Sequence, residues 1–203
     1  MTEPHLSFSK VTFSYGFGRK VFCDCDKAFE PGTVTLLAGP NGSGKTTMLR
    51  LAAGVLRPDS GQVKVHGKIV FVPSQMEFHE SLTVTEELRY LAACGSLNPK
   101  VLAYSTTRWG VDSLPSGSLL SDLSTGWRQR LSLAVAEAVG GGVVLLDEPM
   151  ANLDSLARRL VETWIARLTD SGAIVVLAQH GEYSPSSELA TKYLEFRLAD
   201  AGG

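Results

Sequence analysis

Gly39-Pro40-Asn41-Gly42-Ser43-Gly44-Lys45-Thr46 decides the fold, because it satisfies the pattern G-x-x-x-x-G-K-[ST] between an apolar run and a helical one. Ahead of it, Val34-Thr35-Leu36-Leu37-Ala38 reads as a buried strand. Behind it, Thr46-Thr47-Met48-Leu49-Arg50-Leu51-Ala52-Ala53 reads as a helix. Strand, glycine-rich loop and helix in that order form a P-loop, whose successive backbone N–H groups and helix N-terminus point at an anion. Gly39, Pro40, Asn41, Gly42, Ser43, Gly44, Lys45, Thr46 and Thr47 are therefore candidate ligands of a nucleotide phosphate. The motif's mechanics place the Lys45 ammonium across the β- and γ-phosphates and the Thr46 hydroxyl on Mg²⁺.

The rest of the chain is consistent with one domain. Its 203 residues, 44% of them hydrophobic and 20% charged, suffice for a full core. A net charge of −2 and no basic stripe argue against a nucleic-acid partner. Three cysteines with no leader pattern suggest a reduced, cytosolic setting. Cys23 and Cys25 alternate on a strand and are expected on one face, without further ligands for a metal. No stretch reaches the 18 or so uncharged apolar residues of a membrane span, so the chain is expected to be soluble and to meet a membrane only through a partner.

Two early strands are expected, from Leu6 to Phe13 and from Val21 to Phe29, ending at the Pro31-Gly32 turn. Two short strands, Gln62 to Val65 and Lys68 to Val72, flank Gly67 and bring antiparallel character. From Gln75 to about Leu123 the pattern turns helical, with a capping-box sequence at Thr83-Val84-Thr85-Glu86, and 76–123 is expected to be a helical subdomain. Residues 131–139 and 156–168 read as helices, 143–146 and 173–178 as buried strands. The fold class expected is therefore α/β: a P-loop NTPase core with a largely parallel sheet, a small antiparallel β subdomain and an inserted helical subdomain, all within one domain over 1–203.

Val143-Val144-Leu145-Leu146-Asp147-Glu148-Pro149 adds an apolar strand ending in two carboxylates. Asp147 suits a water-mediated Mg²⁺ contact, and Glu148 the position of a general base for the attacking water. Together with the P-loop, this element resembles the ATP-binding-cassette ATPases, the motor subunits of ABC transporters. The resemblance covers nearly the whole chain, from about Leu6 to Leu198. It implies a signature at Leu123-Ser124-Thr125-Gly126-Trp127, where Ser124 and Gly126 meet nucleotide and Ser124 caps the following helix. It also implies a switch histidine at His180, an interface-loop Asp154 in Met150-Ala151-Asn152-Leu153-Asp154, an adenine-stacking Tyr15, and a glutamine, Gln75, that links core to helical subdomain and reaches the metal. Thr125 and Trp127 depart from the family's Gly and Gln, and Ser74 between Pro73 and Gln75 leaves the glutamine's register open between Ser74 and Gln75.

The resemblance implies ATP and Mg²⁺ as ligands. It implies a head-to-tail homodimer or heterodimer of cassettes with two ATP molecules at the interface, and hydrolysis that drives a membrane-embedded permease from the inner face of the cell membrane. A soluble, non-transport ABC ATPase is the alternative. A regulator without turnover leaves Glu148 and His180 unexplained, and a P-loop kinase leaves 123–131 unexplained.

Overall fold

The computed structural model describes residues 3–16, 18, 20–94, 97–115, 117–179 and 192–198. The chain divides into two compact units, one of residues 1–71, 141–148 and 165–203, the other of 72–140 and 149–164.

The first unit holds two sheets. β1 (His5–Ser14) pairs antiparallel with β2 (Lys20–Phe29) on one side and with β4 (Ser60–His66) on the other. The second sheet has the order β5 (Ile69–Val72), β6 (Val143–Asp147), β7 (Ile174–Ala178), β3 (Val34–Ala38), β8 (Tyr193–Arg197). The β6/β7, β7/β3 and β3/β8 pairs are all parallel. β6 and β7 are buried along their whole length, as expected of interior strands covered on both faces. Helix α1 (Lys45–Ala52) sends Met48 and Leu49 into a core shared with Leu6, Phe13, Leu37, Leu145 and Val176.

The strands on either side of Gly67 go to different sheets: β4 supplies the expected antiparallel character by joining β1 and β2, and β5 edges the second sheet. One expectation about the strands is corrected. Cys23 and Cys25 do not share a face. Register slips between Val11↔Cys25 and Phe13↔Phe22, Asp24 has φ 50°, and its N–H donates to Thr12 Oγ1 at 3.1 Å. This bulge places two residues opposite one, so Cys25 packs on the core with Phe22 and Phe29 while Cys23 stays exposed.

The second unit contains α2 (Val84–Ala93), α3 (Pro99–Arg108), α4 (Thr125–Val139), two short 3₁₀ turns, and the first part of α5 (Ser155–Asp170). The Thr83/Glu86 capping box forms reciprocally: Thr83 N–H donates to Glu86 Oε2 at 2.8 Å and Glu86 N–H to Thr83 Oγ1 at 3.2 Å. The helical pattern expected from Gln75 onward begins only at Val84, because 73–82 lacks a cap or regular bonds of its own and runs as loop and turn. Trp109, fully buried, stands edge-on to Trp164 at 6.3 Å and donates its indole N–H to Glu137 Oε2 at 2.8 Å. Arg108 reaches Glu137 Oε1 at 2.6 Å. Burial pushes the Glu137 carboxyl above its ordinary range, against the opposing pull of its hydrogen bonds.

Candidate functional site

Register sets the first half of the site. Ala178 lies level with Leu37 on one side and with Asp147 on the other, so the carboxyl ends of β3, β7 and β6 form one row. The loop over 39–44 leaves that row and enters α1 at Gly44, whose φ of 99° only glycine adopts freely, and a Cβ there would lie 2.6 Å from Val21 Cγ1. Gly44 gives α1 no side-chain cap, so the first N–H groups of the helix keep their donors for a ligand.

The Lys45 Nζ donates to the carbonyls of Gly39 at 2.6 Å and Pro40 at 2.9 Å, which closes the loop on itself and leaves the third ammonium proton for an anion. Partial burial lowers the Lys45 pKa, while Glu148 and then Asp147 pull it back up. Thr46 Oγ1 donates to Asp147 Oδ2 at 2.9 Å. A hydroxyl and a carboxylate so joined are hard oxygen donors suited to Mg²⁺. Ser43 Oγ is buried in the same loop with no hydrogen-bond partner among the described residues, a further polar atom a phosphate could satisfy. Tyr15, half exposed, stands edge-on to Phe13 at 5.0 Å and has its hydroxyl 3.2 Å from Thr47 Oγ1, which places an aromatic ring beside the P-loop helix.

Glu148 carries a feature the sequence does not announce. Its N–H extends the β6/β7 ladder to Ala178 O at 2.8 Å, yet its φ is 52°. A non-glycine residue in the left-handed region costs about 1–2 kcal/mol, a strain that clusters at reacting groups. His180, the expected switch histidine, lies outside the described residues.

The second unit holds the other candidates. Ser124 has φ −60° and ψ 159° and caps α4, accepting from Trp127 N–H at 3.4 Å, as its place in the motif predicts. A Cβ on Gly126 would fall 2.8 Å from the Asn152 carbonyl oxygen, so the turn requires glycine for close backbone approach. Gln129 Nε2, buried, donates to Pro149 O at 3.1 Å. Asp154 caps α5 through Ala157 N–H to Oδ1 at 2.7 Å and accepts from Arg130 Nη2 on Oδ2 at 2.7 Å. The backbone bond from Ala157, then the Arg130 pair, hold its carboxyl below the usual range. Both its oxygens thus have structural work. The Arg130 guanidinium also lies 5.3 Å from the centre of the Trp127 ring. Gln75 and Ser74 are both exposed in the bend after β5.

Sequence reading missed Arg128 and Arg130, whose guanidinium groups pair with Glu80 and Asp154 far away in the chain, and the positive φ of Glu148 and Asn152. Among the described residues no cluster of His, Cys, Asp and Glu could by itself hold a metal, and no helix is long and apolar enough to cross a membrane.

A P-loop opening a helix at the carboxyl end of a parallel strand, with an Asp-Glu strand two places away, defines a P-loop NTPase of α/β type. The profile of the ABC transporter family matches residues 23–151, and the chain belongs to that family as an ABC ATPase. It is 31% identical over 200 residues to the Nod factor export ATP-binding protein I of Paraburkholderia xenovorans, covering 89% of this chain and 64% of that one. It is 32% identical over 200 residues to the sulfate/thiosulfate import ATP-binding protein of Shewanella oneidensis, covering 87% of this chain and 55% of that protein. A solved ATP-binding subunit of an ABC transporter superposes with a TM-score of 0.82 over 97% of this chain and 87% of its own, at 20% identity, and so shares the fold.

Proposed function

We propose that the chain is the ATP-binding and ATP-hydrolysing subunit that powers an ABC transporter through a membrane-embedded permease. The observation that carries this is the Thr46 Oγ1 to Asp147 Oδ2 contact of 2.9 Å beside a Lys45 with one proton to spare. The loop's N–H groups would hold the phosphates of ATP and the ammonium would balance their charge. Thr46 and Asp147 would hold Mg²⁺, with Gln75 as the further ligand its motif position suggests. Mg²⁺, when bound, neutralises charge on the reacting phosphate. Glu148 would orient and deprotonate the attacking water, and His180 would contact the same phosphate.

Ser124 and Gly126, at the start of α4, suit the far side of a γ-phosphate bound by another cassette, so the working form in this reading is a homodimer or heterodimer. In the same reading the chain sits peripherally on the cytoplasmic face of the membrane. Relatives of both export and import type support transport without assigning its direction.

Purification from detergent-solubilised membranes tests the reading. The expected result is a polytopic partner that co-purifies and stimulates MgATP hydrolysis. Recovery of ribosomes or nucleic acid instead would support a soluble, non-transport cassette.

A further inference from the structure

Arg128 stands one turn into α4, and all of its described contacts lie in the second unit. Its Nη1 and Nη2 donate to Glu80 Oε1 and Oε2, both at 2.6 Å. Nη2 also donates to the Leu120 carbonyl at 2.6 Å and Nε to the Leu123 carbonyl at 3.3 Å. A planar, bidentate pair is thereby combined with two backbone acceptors directly upstream of the Ser124 cap. Backbone bonds run along the same seam: Ser121 N–H to Glu80 O at 3.3 Å, Leu120 N–H to Leu82 O at 3.0 Å, and Val84 N–H to Ser118 O at 3.0 Å. Thr83 and Leu119 form an antiparallel bridge between them. The hydrogen bond from Arg128 holds the Glu80 carboxyl below the usual range.

An exposed ion pair of this kind adds little to stability, so its four-donor geometry is better explained by orientation. We propose that Arg128 and Glu80 are positioning residues for the Ser124–Gly126 turn, tying it to the stretch of chain that follows Gln75. The inference rests on the reading above, in which that turn meets the γ-phosphate of a second cassette. The Arg128 guanidinium is engaged by Glu80 and the Leu120 and Leu123 carbonyls, so in this proposal the pair acts on the turn and not on nucleotide. The clamp therefore acts on turnover and not on the first binding of ATP, which belongs to the Lys45 loop.

The test uses the full chain with MgATP, steady-state kinetics, equilibrium nucleotide binding and a melting curve. Glu80 is exposed, so Glu80→Ala is expected to stay folded with an essentially unchanged melting temperature. Its kcat should fall about three- to tenfold while KM and nucleotide affinity hold. Glu80→Gln, which keeps one acceptor, should recover part of that loss. Arg128→Lys should behave like Glu80→Ala, because an ammonium cannot make the bidentate pair. Wild-type kcat in both Glu80→Ala and Arg128→Lys, or kcat and KM moving together, overturns the proposal while leaving the ATPase reading intact. A wild-type chain that binds but never hydrolyses MgATP, even with its permease, overturns both.

Discussion

α1 and α4 both present an N-terminus to the chemistry proposed here, and they are built in opposite ways. α1 begins at a glycine with φ 99° and no side-chain cap, and backbone donors, Lys45 and Ser43 of the same contiguous loop prepare it for an anion. α4 begins at Ser124, whose hydroxyl already accepts from Trp127 N–H, and its first two turns carry Arg128 and Arg130, paired with Glu80 and Asp154. A site made from backbone donors has to be written contiguously, because glycine and lysine are needed at fixed spacing. A site steadied by side-chain pairs can recruit them from anywhere. The first kind should fail sharply on substitution and the second by degrees.

The sharpest failure is expected at Glu148. Glu148→Gln keeps the shape of the left-handed turn but removes the base, so MgATP turnover should drop on the order of 10²–10⁴-fold with binding retained. An ATP-bound dimer should then accumulate in size-exclusion chromatography. Undiminished hydrolysis would remove Glu148 from the mechanism. Lys45→Ala should act at the earlier step, weakening nucleotide binding on the order of 10²–10³-fold, since a phosphate charge loses its nearest cation. If Lys45→Ala bound ATP normally, the α1 N-terminus alone would suffice to hold the phosphates.

Gly126 tests the second site at its one backbone constraint. Any Cβ there meets the Asn152 carbonyl at 2.8 Å, so Gly126→Ala should already cost about 1–3 kcal/mol unless the 150–154 loop gives way. Gly126→Asp adds a negative charge where the proposed phosphate approaches and should abolish ATP-driven dimerisation. Dimerisation that survives Gly126→Asp would show that this turn does not meet nucleotide.

How much of this was legible in the sequence follows the same division. The P-loop, the Asp147 strand end, the Ser124 cap and the Thr83/Glu86 box each depend on residues within a few positions, and all appear where spacing places them. The bulge at Asp24 depends on Thr12 across the sheet, which periodicity along one strand does not contain. The separation of β4 from β5 depends on which partners are free, and not on the turn at Gly67. Arg128 and Glu80 are 48 residues apart, with nothing in either neighbourhood to name the other. The left-handed φ of Glu148 stands beside a ladder bond to Ala178, a partner 30 residues away that no local pattern names.

A smaller effect should appear with pH. Burial depresses the Lys45 pKa, whereas bound phosphates favour the ammonium form. Above the depressed pKa the free site holds neutral lysine, so binding must take up a proton and affinity falls as pH rises. Titration of nucleotide affinity into the alkaline range should show this decline for the wild type and little of it for Lys45→Arg, whose charge persists. A flat wild-type profile would mean that the ammonium stays charged without phosphate.

The smallest effect is expected at Trp127, where the sequence departs most visibly from its family. Ser124 keeps its cap bond to the Trp127 N–H, a backbone contact indifferent to the indole. The return half of a capping box is what a tryptophan cannot supply, since it has no side-chain acceptor, and that contact is worth about 1 kcal/mol or less. In its place the indole lies under the Arg130 guanidinium at 5.3 Å, while Arg130 holds Asp154. Trp127→Gln exchanges a weak cation–π contact for a weak cap bond, so ATPase activity should be kept or modestly raised. Because the ring sits within one turn of the proposed phosphate contact, Trp127 emission should change when ATP closes the dimer. A control lacking Trp127 separates its signal from Trp109 and Trp164. Loss of activity in Trp127→Gln would make the aromatic platform, and not Ser124, the organising element of this turn. Emission indifferent to ATP in a demonstrated dimer would place the turn away from nucleotide.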